Sequence, residues 1–101
     1  MNRQDVITIL SKSKDHLRSR YFIQNMELYG SFAKGENKED SDIDLLYRTI
    51  PGAAMTLARL NSMEKFLSGI LKKRKIELVN KDSLNPIVAA NIKDHVISVF
   101  W

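Results

Sequence analysis

The sequence predicts an α/β (α+β) chain: a small mixed β-sheet flanked by helices. Three observations carry this. Apolar residues recur at three- and four-residue intervals between Val6 and Leu17 and between Leu57 and Leu71. Short apolar runs bounded by Gly, Asp, Ser or Lys occupy residues 21–29, 41–47 and 75–79. Helix-like and strand-like segments also alternate along the chain. The 101 residues leave room for one domain, 1–101, with a modest core. A hydrophobic content of 44% with only four glycines and two prolines argues for a packed globule and against disorder.

Val6, Ile9, Leu10 and Leu17 fall near one face of a helix running to about Arg20, with Asn2 and Asp5 as candidate N-terminal caps. Lys12, Lys14, Arg18 and Arg20 then lie mostly on its wet side. His16 has no matching ligand pattern nearby and reads as a surface or boundary histidine. From Tyr21 to Tyr29, Met26, Leu28 and the aromatic neighbours predict a buried strand that ends where Gly30 turns the chain. Ser41 to Tyr47 is the second strand. Its period of two puts Asp42 and Asp44 on the face of Leu46, and Ile43 and Leu45 on the other.

Pro51-Gly52 then interrupts the chain, after which Leu57, Leu60, Met63, Leu67, Ile70 and Leu71 define an amphipathic helix, with Met55 and Met63 expected in the core. Such a helix carries the chain about 28 Å, enough to cross the sheet and return a third strand, Lys75 to Val79, beside the first two. Asp82-Ser83 and Pro86 open a last short helix carrying Ile87, Val88 and Ile92. The apolar ending Val96-Ile97-Ser98-Val99-Phe100-Trp101 is either a final strand or a patch covered by another protein.

The chemistry concentrates between Leu28 and Tyr47. Gly30 and Gly35 bracket a short segment opening on Ser31, where backbone N–H groups can face an anion with no Cβ in the way. Alone, Gly30-Ser31 reads as an ordinary strand-to-helix turn with a serine cap. Asp42-x-Asp44 downstream changes the balance, because two carboxylates about 4 Å apart repel by as much as about 4 kcal/mol at an effective dielectric near 20. A divalent cation turns that repulsion into binding. Oxygen ligands alone, in a chain without cysteine, point to Mg²⁺ or Mn²⁺ rather than zinc. Glu77, the one acid in the third strand, either faces water or is a third carboxylate of the same site.

Gly30-Ser31, ten intervening residues and Asp42-x-Asp44 resemble the signature of the DNA polymerase β-like nucleotidyltransferase superfamily. Within it, Gly-Ser-Phe-Ala-Lys-Gly followed by Ser-Asp-Ile-Asp-Leu-Leu, in so short a chain, is most similar to the minimal nucleotidyltransferases (MNT), usually encoded as the antitoxin half of HEPN/MNT toxin–antitoxin pairs. The resemblance runs from about Val6 to the C-terminus. It implies the nucleotidyltransferase fold and transfer of AMP from ATP, with Mg²⁺ or Mn²⁺, to a tyrosine hydroxyl of a cognate HEPN ribonuclease toxin, which is thereby neutralised.

By the same resemblance Asp42, Asp44 and Glu77 are the catalytic and metal-binding residues, and Gly30, Ser31 and Lys34 bind the nucleotide. The family commonly carries Asp where Glu77 stands, one methylene shorter. A core this small has little surface left to enclose a base and ribose, so a hetero-oligomer with the toxin is expected. Two alternatives stand beside this reading: a non-catalytic antitoxin that acts by direct binding, and small-molecule transfer of the aminoglycoside type, which normally uses more chain for its acceptor.

Charge narrows the partners. Residues 36–44 hold five acids against Lys38, a local −4 in a chain of net +4, so the remainder is +8. The other cations are scattered except for Lys72-Lys73-Arg74-Lys75, which reads as a solvated helix end, with contact to phosphate or an acidic partner as the alternative. Direct nucleic-acid binding is therefore not expected. The absence of cysteine, of a signal peptide and of a long apolar run predicts a cytoplasmic protein with no membrane partner.

Overall fold

The computed structural model describes residues 1–72, 74–92 and 95–101. Four strands form one sheet, β1 (Ile23–Tyr29), β2 (Ile43–Thr49), β3 (Ile76–Asn80) and β4 (Ile97–Phe100), in the order β3-β2-β1-β4. β1 pairs antiparallel with both β2 and β4, whereas β2 and β3 are parallel. The sheet is thus mixed, as expected. The parallel pair needs a crossover, supplied by α4 (Leu57–Ile70), which Thr56 caps by accepting the Arg59 N–H at 3.1 Å.

The expected first helix is two, α1 (Arg3–Lys12) and α2 (Lys14–Tyr21). Asn2 and Asp5 cap α1 reciprocally as a capping box. At Ser13 the backbone leaves helical geometry, its hydroxyl donating to the Ile9 carbonyl at 3.2 Å. Serine competes with the helical ladder in this way, and the break is not visible in apolar spacing. Tyr21 is the last residue of α2 rather than the first of a strand, because Phe22 takes the left-handed conformation (φ 58°) and ends the helix.

Alternation along the strands gives the sheet two unlike faces. On one, Met26, Leu28, Ile43, Leu45, Tyr47 and Ile76 pack with Val6, Leu10 and Leu17 from α1 and α2 and with Met63 and Leu67 from α4 in the main core. The C-terminal run is a strand, with Val99 and Phe100 in that core and Trp101 exposed. The opposite face carries Glu27, Tyr29, Asp44, Leu46, Arg48 and Glu77, as the pairings Tyr29↔Asp44, Glu27↔Leu46 and Asp44↔Glu77 require. Leu84 and α5 (Pro86–Ile92) close over part of it. Among the described residues no helix is long and apolar enough to cross a membrane.

Candidate active site

Three strand ends meet at one edge of the second face. β1 delivers Tyr29, β2 brings Asp44 opposite it, and the parallel β2–β3 register sets Glu77 beside Asp44. Two acids distant in sequence become neighbours because parallel pairing aligns residues of like position on one face. The Asp44 carboxyl is pushed up to about 7, first by burial, then by a hydrogen bond with Glu77 and by the charges of Glu77 and Asp42. Near neutrality the Asp44 carboxyl is about half protonated, its hydroxyl donating to Glu77. The Tyr29 phenol is raised to about 12 by burial and by the charges of Glu77 and Asp44, so it remains a hydrogen-bond donor at the edge of the pair.

Gly30 explains why the chain turns where it does. Its φ is +73°, and a Cβ there would stand 2.1 Å from Asp44 Oδ2. The carboxylate of β2 occupies the space that any other residue's side chain would fill. From Gly30 the chain enters α3 (Gly30–Lys34), whose Phe32 and Ala33 are buried, with Ser31 half-buried and Lys34 exposed. Gly35, also at φ +73°, ends the helix with open space around it.

Asp42 lies one residue ahead of β2, which begins at Ile43 rather than at the expected Ser41. Its Oδ2 is 3.9 Å from Lys75 Nζ, in an exposed pair. Asp44 and Glu77 are therefore in direct contact, while Asp42 is near enough to act on Asp44 but turned toward Lys75. Among the described residues no group of three or more His, Cys, Asp or Glu side chains is gathered closely enough, as placed, to hold a metal ion. The donor set nonetheless fits one. Its ligands are oxygen only, and the half-buried Asp44 carboxyl, raised to about 7 beside the exposed Glu77, offers a divalent cation the place of its proton.

Sequence reasoning missed Arg74. From the basic run it reaches back to the acidic loop, donating through Nη1 to the Ser41 carbonyl at 3.0 Å and to the Lys38 carbonyl at 3.4 Å, with its guanidinium 5.4 Å from the centre of the Phe32 ring. It ties α3 to the segment that delivers Asp42. Lys72 and Lys75 are exposed as a helix end would be, and Lys73 lies outside the described residues. His16 is exposed, its ring 4.2 Å from Phe66, in keeping with a boundary role. Tyr29 was also missed as a neighbour of the site, and its position next to Gly30 was the available signal.

The profile of the nucleotidyltransferase domain matches residues 10–99. The chain belongs to the nucleotidyltransferase domain family. Among curated relatives, the protein adenylyltransferase MntA of Thermococcus cleftensis is 33% identical over 98 residues, covering 95% of this nucleotidyltransferase and 94% of MntA. A solved structure provisionally described as a minimal nucleotidyltransferase superposes with a TM-score of 0.75 at 26% identity, covering 96% of this chain and 95% of that one. A complex of tri-AMPylated Shewanella oneidensis HEPN toxin with MNT antitoxin contains a chain of the same fold, with a TM-score of 0.66 at 15% identity, covering 99% of this nucleotidyltransferase and 72% of that chain. The minimal nucleotidyltransferase architecture is thus the fold of this chain, and nucleotidyl transfer is its class of activity.

Proposed function

We propose that this single-domain nucleotidyltransferase, acting in the cytoplasm, is an antitoxin that transfers AMP from ATP to a tyrosine hydroxyl of a cognate HEPN ribonuclease toxin. The observation that carries the reading is Asp44, hydrogen-bonded with Glu77, set directly against Gly30, which supports a common site for the glycine turn and the carboxylates. Similarity to the adenylyltransferase MntA supports the nature of the transferred group, and the HEPN–MNT complex of shared fold supports the kind of acceptor.

Asp42, Asp44 and Glu77 would hold Mg²⁺ or Mn²⁺, which when bound supplies charge neutralisation at the triphosphate and activation of the attacking oxygen. Holding the ion requires Asp42 to leave Lys75, a surface contact worth little. The Gly30 backbone and Ser31 contact the β- and γ-phosphates, with Lys34 as a further cation. In the transfer the tyrosine oxygen forms a bond to the α-phosphorus and the bond from that phosphorus to the β-bridging oxygen breaks. Pyrophosphate leaves with the electron pair. The hydroxyl proton passes to the Glu77 carboxylate, and Tyr29 remains a neutral donor beside the developing charge.

Mixing the purified protein with ATP, Mg²⁺ and the product of the neighbouring gene, followed by intact mass measurement, tests the proposal. The expected result is a gain of one or more AMP groups on the second protein, abolished by Asp44→Ala. No gain with wild type, or an undiminished gain with Asp44→Ala, refutes it. A toxin neutralised equally well by the Asp42→Ala/Asp44→Ala double variant would instead establish inhibition by direct binding.

A further inference from the structure

The carboxylate face also holds a cavity of about 470 Å³, lined by Glu27, Leu46, Arg48, Lys81, Leu84 and Ala89 among others. Its position relative to the acids follows from strand alternation. Asp44, Leu46 and Arg48 succeed one another on one side of β2, about 7 Å per step. Tyr29 is level with Asp44, Glu27 is level with Leu46, and Gly30 follows Tyr29 at the far end. Along the sheet the order is glycine turn, acid pair, cavity.

In-line displacement places the attacking and leaving oxygens on opposite sides of the phosphorus. With the leaving pyrophosphate at Gly30-Ser31, the attacking oxygen must arrive from the cavity side. We propose that this cavity is the acceptor subsite, taking the hydroxyl-bearing side chain of a protein acceptor together with the residues next to it. The inference rests on the adenylyl-transfer reading and adds where the acceptor enters and what it meets.

The lining fits a protein segment. Leu46, 1% exposed, forms an apolar floor, and Leu84 and Ala89 form apolar walls. Glu27, 8% exposed, is bound by Lys81, and Arg48 donates to Asp82 Oδ1 at 2.9 Å. A buried carboxylate requires such a partner, and an ammonium has donors to spare for the carbonyls of an incoming chain. A polycationic small acceptor would meet Arg48 and Lys81 with both neighbouring acids already paired. On α5, whose Ala89 lines the cavity, Ile87 is 72% and Val88 45% exposed, an apolar lip suited to a protein surface.

The test fills the cavity with Ala89→Phe and measures acceptor modification and Mg²⁺–ATP affinity separately. The expected result is a loss of about 30-fold in kcat/KM for the protein acceptor, expressed mainly in KM, with ATP affinity unchanged within about twofold. An unchanged acceptor KM overturns the inference. So does a fall in ATP affinity that matches the loss in transfer, since the cavity would then house the donor's base. Should Ala89→Phe fail to fold, Glu27→Gln/Lys81→Met removes both charges without opening a hole, and a rise of about fivefold in acceptor KM is expected, no rise being the overturning result. A wild-type protein that modifies no protein acceptor would refute the underlying reading and this subsite with it, whereas an active wild type with indifferent variants refutes the subsite alone.

Discussion

Gly30 and Gly35 share a φ of +73° and differ in what surrounds them. Gly35→Ala meets nothing within 4 Å, so it should cost only the left-handed strain of about 1–2 kcal/mol and leave transfer intact. Gly30→Ala adds a Cβ 2.1 Å from Asp44 Oδ2, and displacing that carboxylate by about 1 Å should lower transfer about 100-fold as well as stability. Thermal unfolding and transfer rates of the two variants, measured side by side, check this. Asp44 also sets a pH dependence. Its carboxyl titrates near 7 in the folded protein against 3.8 ordinarily, so the folded state binds the proton more tightly. The stability it contributes is complete below pH 3.8 and is lost as pH rises through about 7. Denaturant titrations in chelator should show this loss, with Asp44→Asn flattening the profile. Mg²⁺ should stabilise the protein more at pH 8 than at pH 6, because cation and proton compete for the same pair.

At the scale of elements, the site depends on segments that pack poorly by themselves. The loop of residues 36–42 is mostly exposed and is held from outside by Arg74, which reaches the Lys38 and Ser41 carbonyls and lies against Phe32. Arg74→Ala should destabilise the protein by about 1–3 kcal/mol and speed hydrogen exchange at residues 38–42. Arg74→Lys should recover only part of this, since an ammonium can still donate to the two carbonyls that Nη1 reaches but brings no guanidinium over the Phe32 ring. Hydrogen-exchange mass spectrometry of the three proteins decides this. The break at Ser13 belongs to the same scale. Apolar spacing runs through it undisturbed, and only the serine hydroxyl turning onto the Ile9 carbonyl divides the helix. Periodicity located β1, β2 and β3 to within two residues and left β4 open between a strand and a covered patch, and it missed this break because it reports burial and is blind to local hydrogen bonding.

For the whole molecule, one layer of side chains between the sheet and the helices carries most of the burial. Leu45, fully buried at the centre of β2 with Asp44 as its neighbour, should on replacement by Ala cost about 2–5 kcal/mol, a large share of what a domain of 101 residues possesses. Urea unfolding checks the magnitude, and a cognate partner should recover part of the loss by binding only the folded form. The sequence by itself determined the alternation of helices and strands, the helix long enough to cross the sheet and return a third strand, and the spacing of Gly30-Ser31 from Asp42-x-Asp44, because each is written in spacing along the chain. Tertiary structure decided the rest. Local spacing left Glu77 open between water and the site, and the β2–β3 register sets it beside Asp44 while its side chain remains exposed. The same packing gave Gly30 its second reason to be glycine, turned Arg74 from a surface charge into a tether, and left a cavity on the carboxylate face. These are contacts between residues far apart in sequence, and chain periodicity holds no record of which distant residues come to lie side by side.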